Sequence, residues 1–570
     1  MGKNHANIED IPLVIGIDFG TLSARAVIVR SDNGAVLGEA VSEYRHGVMD
    51  GQLTAADGQE LPPDYALQVP SDYLASLVES VTGAVKDSGV DAQQIVGMGL
   101  DCTSSTVVVT DGEGKPLCED PAFTHEPHAY IKLWKHHGGN EQAARIVQLA
   151  KERNEPWLKR FGGTLSSEML LPKALETLEK APEVYYAAEE ILDVLDWLTW
   201  QLTGRLAYSA SDSGYKRIYY DGVYPSHEFL GQLNPDFADV YSSKMSHEVL
   251  DLGQSVGGLT KDFSQKLGLP EGIAVAVGNI DAHVHAASVG AVEPGQLTGI
   301  IGTSTCWVLP AQTLELVPGV FGVVDGGISD GTWGYEAGQS AVGDMFAWFV
   351  DNCVPEKYRQ EARSRGISVH DLLTEKASVQ EVGEHGLIAL DWWNGNRSIL
   401  VDADLTGLMI GQTLATKPED QYRALLEATA FGARVIIENF ENHGVPVKEI
   451  RIAGGLLKNP LLMQMYADIT RRPLAIATVE NAGAHGSAVF AAIAAGIYPD
   501  LRSACEHMSE IHHDAYLPRE EVSHQYDQLF ALYQELYDYF GRGSEAMHQL
   551  KRLRREARIR SVGHGNIPSK

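Results

Sequence analysis

Two short segments bring together residue types that chemistry needs. In Asp18-Phe-Gly-Thr-Leu-Ser23 an apolar run delivers a carboxylate, Gly20 lets the backbone turn sharply, and Thr21 and Ser23 supply hydroxyls. Successive N–H groups and hydroxyls aimed at one point make a cradle for phosphate, and Arg25 on the outgoing run can add a charge-assisted bond to a phosphoryl oxygen. The same residues also suit an ordinary hairpin turn. In Val277-Gly-Asn-Ile-Asp281-Ala-His283-Val-His285 a carboxylate sits between a strand-like run and a small-residue helix. A helix N-terminus there lowers the proton affinity of Asp281, and such a carboxylate can take a proton from a hydroxyl whose oxygen attacks a phosphoryl group.

Each segment has a rival reading. Asp18-Phe-Gly20 matches the metal-binding tripeptide of protein kinases, but no Gly-rich loop or lysine strand precedes it and no H-R-D loop is present. The I-D-x-H-x-H run resembles the strand that opens the zinc site of amidohydrolase barrels, where both histidines bind metal. That motif belongs on an early strand, whereas 280 residues precede this one.

Further polar turns follow apolar runs. Gly302-Thr303-Ser304 repeats the Gly-Thr turn, so that Gly16 to Ser23 and Gly299 to Thr305 read as two copies of one strand-turn-strand unit. This echo suggests two related domains with a boundary near 290–295. In Ile452-Ala-Gly-Gly455-Leu-Leu-Lys-Asn459, Gly454 and Gly455 leave room for a flat base or ribose, and Asn459 can bond to it or cap the following helix. Asp101 and Thr103, the Ser213-Gly-Tyr-Lys216-Arg217 loop, and Glu336 with Gln339 offer carboxylate, hydroxyl, ammonium and amide groups to a hydroxyl-rich ligand.

The elements that must position these groups alternate. Strand-like runs at 11–17, 24–30, 35–40, 95–100, 106–110, 273–278, 297–301, 306–309, 334–337, 387–392, 449–453 and 473–477 interleave with helical patterns at 72–86, 127–153, 189–202, 282–289, 422–443, 460–470, 484–496 and 524–559. That order predicts α/β layering. With 570 residues there is chain for more than one full core, and 45 Lys+Arg against 76 Asp+Glu gives a net charge of −31. Such a charge disfavours nucleic acid and anionic membranes as partners, so any bound anion must be held locally. The five cysteines are scattered without a C-x-x-C pair, which reads as reduced thiols. No apolar run reaches the ~20 residues of a membrane span, and the opening MGKNHANIED has no secretory apolar core, so a cytoplasmic protein is expected. The basic stretch KRLRREARIR reads as a solvated helix end.

Taken together, the Gly-Thr turns, the central Asp281 and the late Gly-Gly turn resemble the FGGY family of carbohydrate kinases, in the same order, from Val14 to Gly496. The resemblance implies two actin-like, ribonuclease-H-like domains with an inter-lobe cleft. A lead-in at 1–13 would precede a sugar-binding domain at 14–290 and a nucleotide-binding domain at 291–570. It further implies ATP and Mg²⁺. Gly20, Thr21, Ser23 and Arg25 then form the first phosphate motif, with Asp18 as the metal-facing carboxylate and Asp281 as the catalytic base. Gly302 and Thr303 form the second phosphate motif, and Gly454, Gly455 and Asn459 the adenosine motif. Within the family, FGTLSAR, GLDCTSSTVVVTD, PHAYIKLWKHH, SSEMLLPK and SGYKR look most like members that phosphorylate L-ribulose, as does the length. On that likeness Thr103, Lys216 and Glu336 contact a ketopentose, the pathway is L-arabinose catabolism, and a homodimer is expected. The Arg-Glu pair that glycerol-specific members use after the Asp101 strand is missing.

Overall fold

The computed structural model describes residues 11–564. Residues 1–10 of the expected lead-in lie outside the described residues, while Ile11 and Leu13 are already buried. The elements that matter for the site are, in chain order, β1 (Leu13–Phe19), β2 (Ser23–Arg30), β3 (Val36–Glu43), α1 (Pro70–Ser88), β4 (Ile95–Cys102), α2 (Leu170–Lys180), α3 (Ala210–Lys216), β5 (Ser255–Gly258), β6 (Ala274–Ala276), β7 (Asn279–Ile280) and α4 (Asp281–Ser288). They continue with β8 (Gln296–Ile301), β9 (Thr305–Ala311), β10 (Gly322–Asp325), β11 (Trp333–Gln339), α5 (Gly343–Cys353), α6 (Pro418–Asn442), β12 (Glu449–Ala453), α7 (Pro460–Thr470), β13 (Leu474–Ala477) and α8 (Ala482–Ala494).

The chain divides into two compact units. The first holds the described residues up to Thr298 together with Val308–Glu336 and Ala477–His512; the second holds Gly299–Trp307, Ala337–Ile476 and the described residues from His513 on. In the first unit one sheet runs in the order β5-β6-β4-β1-β2-β3, with β7 also pairing β4. β1 and β2 are antiparallel, whereas β1, β6 and β7 all run parallel to β4. Helix α8 lies directly on this sheet because two strand positions lack side chains. A Cβ on Gly16 would meet the Ala484 carbonyl oxygen at 1.7 Å, and one on Gly99 would meet that of Ser487 at 2.1 Å. In the second unit β12 and β13 are parallel, with Ile450 opposite Leu474.

Three helical expectations change. Apart from a 3-10 turn at Pro127–Ala129, the pattern at 127–153 is helical only over Asn140–Arg153; Ile131–Lys132 instead pairs with Leu67–Gln68 and Val107 in a small sheet, and Gly138-Gly139 separates the two. At 189–202, Glu190–Asp193 joins the same sheet against Val107–Thr110 before the helix Val194–Thr203 begins. Tertiary pairing overrides the local period in both cases. The last helix is two, Glu520–Asp538 and Ala546–His564, separated by a wide turn at Tyr539–Gly543 with two glycines. No helix among the described residues is long and apolar enough to cross a membrane, and all five cysteines are free.

Candidate active site

The first unit gathers carboxylates at the ends of neighbouring parallel strands. Asp18 of β1 lies opposite Asp101 of β4, Asn279 of β7 lies on the other side of Asp101, and Ile280 is opposite Cys102. Asp281 and Thr103 are the residues that directly follow this last pair, the first opening a helix and the second a loop. Asp101 is fully buried; its Oδ2 accepts a hydrogen bond from Ser487 Oγ of α8 at 2.6 Å. Burial, followed by the charge of Asp18, pushes the Asp101 carboxyl well above the usual carboxylate range. The N-terminus of α8 meets Asp18, whose Oδ2 lies 3.0 Å from where a Cβ on Gly483 would stand.

Asp281 is the first residue of α4, and its Oδ1 accepts the Ala282 N–H at 2.7 Å. The expected lowering by the helix dipole does not prevail. Desolvation, then the nearby Asp18, pushes the carboxyl up to about 7 against the opposing effects of that N–H and Lys216. A carboxylate poised there can hold or release a proton near neutral pH.

Beside it, Lys216 and Glu336 form a buried ion pair, Nζ to Oε2 at 2.8 Å. Lys216 is the last residue of α3, so the expected loop is a helix end, and Arg217 behind it donates to Asp196 Oδ2 at 2.7 Å, both fully buried. His283 donates from Nε2 to the same Glu336 oxygen at 3.2 Å and meets the Tyr215 ring edge-on at 4.4 Å. His285 turns elsewhere, its Nδ1 donating to the Asp281 carbonyl at 2.7 Å. This corrects the zinc reading: on a helix, residues two apart diverge, whereas on a strand they would share a face. Among the described residues no group of three or more His, Cys, Asp or Glu is arranged to hold a metal ion.

The first Gly-Thr turn closes with Gly20 N–H donating to Ser23 O at 3.0 Å. Thr21 is tied down on two sides, its hydroxyl accepting from Trp134 Nε1 at 3.1 Å and its carbonyl from Gln68 Nε2 at 2.8 Å. Arg25 is the cross-strand partner of Asp18, so their side chains share a face of the sheet.

In the second unit Gly302 N–H donates to Ser304 O at 2.9 Å, and the carbonyls of Gly302 and Thr303 accept from Gly343 and Val342 at 3.0 Å each. The start of α5 is thus docked on the turn, while Thr303 is exposed. Gly454 has φ +107, and a Cβ there would lie 2.5 Å from Ile301 O; around Gly455 the space is open. Asn459 caps α7 through Oδ1, which accepts Leu462 N–H at 3.1 Å, and its Nδ2 donates to Thr374 Oγ1 at 3.3 Å.

Ser487, Trp134, Gln68 and His283 were not assigned to the site by sequence. Trp134 and His283 stood inside motifs singled out for other reasons; Ser487, in an alanine-rich helix, carried no signal at all. The donor set fits Mg²⁺ arriving with a nucleotide, since that ion is held by one or two carboxylates plus phosphate oxygens rather than by a protein cage. Asp18, near the strand end that leads into the Gly20-Thr21 turn, can supply such a ligand.

The chain matches the model of the FGGY family of carbohydrate kinases, N-terminal domain, over residues 13–290, and that of the C-terminal domain over 297–495. It is 52% identical over 549 residues to a protein named Ribulokinase from Mycolicibacterium smegmatis, covering 96% of this chain and 98% of that one. It is 47% identical over 539 residues to one of the same name from Bacillus licheniformis, covering 94% and 98%. The crystal structure of xylulose kinase from Rhodospirillum rubrum superposes with a TM-score of 0.75 at 20% identity over 93% of this chain and 100% of that one, a likeness of fold, which is actin-like. Matched in order by both domain models and by full-length relatives, the chain belongs to the FGGY family of carbohydrate kinases and is a phosphotransferase enzyme.

Proposed function

We propose that the chain transfers the γ-phosphoryl group of ATP to the 5-hydroxyl of L-ribulose, yielding L-ribulose 5-phosphate in L-arabinose catabolism. The observation that carries this reading is Asp281, a carboxyl held near neutral at the start of a helix, next to the Lys216–Glu336 pair. The relatives' names and their near-complete coverage support the choice of sugar.

Asp281 accepts the proton of the attacking hydroxyl. Thr103, Lys216 and Glu336 hold the remaining oxygens of the ketopentose, the ammonium suiting a carbonyl or hydroxyl oxygen and the carboxylate accepting a hydroxyl proton. The amides and hydroxyls of Gly20, Thr21 and Ser23, with Arg25, bind phosphate oxygens, as do Gly302 and Thr303; Gly454, Gly455 and Asn459 receive the adenosine. Mg²⁺, next to Asp18, would neutralise charge on the phosphates when bound. In this scheme residues 14–290 chiefly bind sugar and 291–570 nucleotide, in a cytoplasmic enzyme that assembles as a homodimer.

An ADP-release assay across pentoses, pentuloses and polyols, with a no-sugar control, tests the reading. L-Ribulose should give the highest kcat/KM, and ³¹P NMR should place the new ester on carbon 5. A preference for xylulose or ribitol would replace the substrate, and ADP release independent of sugar would overturn the kinase assignment. Light scattering at micromolar concentration reads the oligomer.

A further inference from the structure

The loop after β4 carries Thr103, and any role of its neighbours in sugar binding rests on the proposed contact between Thr103 and the ketopentose. Two residues on, Ser105 has φ +57, a left-handed conformation that residues with a Cβ disfavour. Without glycine's freedom, that conformation must be held by the surroundings.

The restraint comes from α2. Lys173 is fully buried, and its Nζ donates to Ser105 O at 2.5 Å, to Leu133 O at 2.7 Å and to Lys132 O at 3.4 Å. An ammonium has three protons to give, and here three carbonyls receive them. Burial pushes its amine down to about 7, opposed by the charges of Asp193 and Glu168 and reinforced by Lys132. An apolar residue in its place would withdraw this donor from the Ser105 carbonyl. The helix is in turn locked to the small sheet: Lys132 Nζ donates to Lys173 O at 3.2 Å, Glu176 Oε2 at 2.8 Å and Thr177 Oγ1 at 2.8 Å. Within the loop the hydroxyls of Thr103 and Thr106 are hydrogen-bonded at 2.9 Å, and Thr106 O accepts Val194 N–H at 2.7 Å. The residues flanking Ser105 are thus pinned, and Lys173 pins Ser105 itself.

We propose that Lys173 is a positioning residue for sugar binding: by donating to Ser105 O it holds the 103–106 loop in the left-handed turn that presents Thr103 to the sugar. It touches neither substrate.

The test compares Lys173→Met, Ser105→Gly and the double variant by steady-state kinetics in both substrates. Lys173→Met should raise the KM for L-ribulose about tenfold or more, the scale of a charge-assisted hydrogen bond, while KM for ATP stays within about twofold. Because glycine enters the left-handed region without steric cost, Ser105→Gly should by itself change the sugar KM less than about twofold, and in the Lys173→Met background restore at least about threefold. An unchanged sugar KM in folded Lys173→Met, or a raised one that Ser105→Gly does not rescue, overturns the proposal. If Lys173→Met does not fold, Ser105→Thr in the otherwise intact chain reads the same loop: its branched side chain should raise the sugar KM about threefold or more, and no change overturns the proposal. Wild-type enzyme inactive on L-ribulose would instead defeat the substrate assignment, and the same variants would then be measured with the sugar the panel selects.

Discussion

The two Gly-Thr turns use one backbone device in different company. At Gly20-Thr21 the strand brings in Asp18, Arg25 lies across from it, and Trp134 and Gln68 fasten Thr21. At Gly302-Thr303 the incoming residues are Ile300 and Ile301, the turn itself carries no charged residue, and the start of α5, with Asp344 in its first turn, fastens it through the backbone, leaving the Thr303 side chain exposed. The first turn is therefore suited to managing charge, a metal and a proton nearby; the second offers neutral donors. In a chain of net charge −31, the proposed function would place the electrostatically sensitive chemistry at the carboxylate-lined strand ends of the first unit.

The sharpest way to break that contrast is at Asp281. Asp281→Asn keeps shape and loses the base, and kcat should fall about 10³-fold or more with KM for ATP nearly unchanged. Near wild-type turnover would remove proton transfer from the first unit. In the intact enzyme, with the carboxyl raised to about 7, the unprotonated base is depleted as pH falls, so kcat/KM for the sugar should drop tenfold per unit below about 7 and level off above. A profile flat down to pH 5 would contradict the base assignment.

Next come the glycines of the second unit. Gly454→Ala puts a Cβ 2.5 Å from a backbone oxygen at φ +107 and should cost about 2 kcal/mol or more in thermal unfolding along with ATP affinity. Gly455→Ala, in open space, should leave stability within about 0.5 kcal/mol. Equal melting temperatures for the pair would show that the close approach at Gly454 is unimportant.

Thr303→Ala should raise KM for ATP about tenfold without moving the melting temperature, because its exposed hydroxyl is assigned to phosphate alone. The smallest effect belongs to Trp134→Phe. Losing the indole donor to Thr21 should cost about 1 kcal/mol of stability and a few-fold in ATP affinity. If Thr303→Ala destabilises the fold while Trp134→Phe does not, the held and the free threonine hydroxyl have been assigned the wrong way round.

Much of this was legible from order and residue type. Apolar runs with Gly-Thr turns located both hairpins, and Glu449–Ala453 and Pro460–Thr470 are the elements the pattern demands. Asp18 and Asp281 were named from carboxylates at the ends of apolar runs, and the sugar-binding roles of Lys216 and Glu336 came from the resemblance to the family. The failures share a cause. Residues 131–132 and 190–193 lie in stretches of helical pattern but find partners in a sheet. The I-D-x-H-x-H run, set aside as a zinc strand on its late position, opens the expected helix at Asp281, which sends its histidines to different partners.

What the sequence alone determined is therefore the chemistry available: which side chains can donate, accept or carry a proton, and where the backbone can turn. Only the tertiary structure decided how each behaves. The proton affinity of Asp281 is set by desolvation and by Asp18, some 260 residues away in sequence and brought near by sheet pairing. The conformation of Ser105 is held by a lysine 68 residues further along the chain. Electrostatic strength depends on distance and on the exclusion of water, and neither quantity exists until the chain has folded.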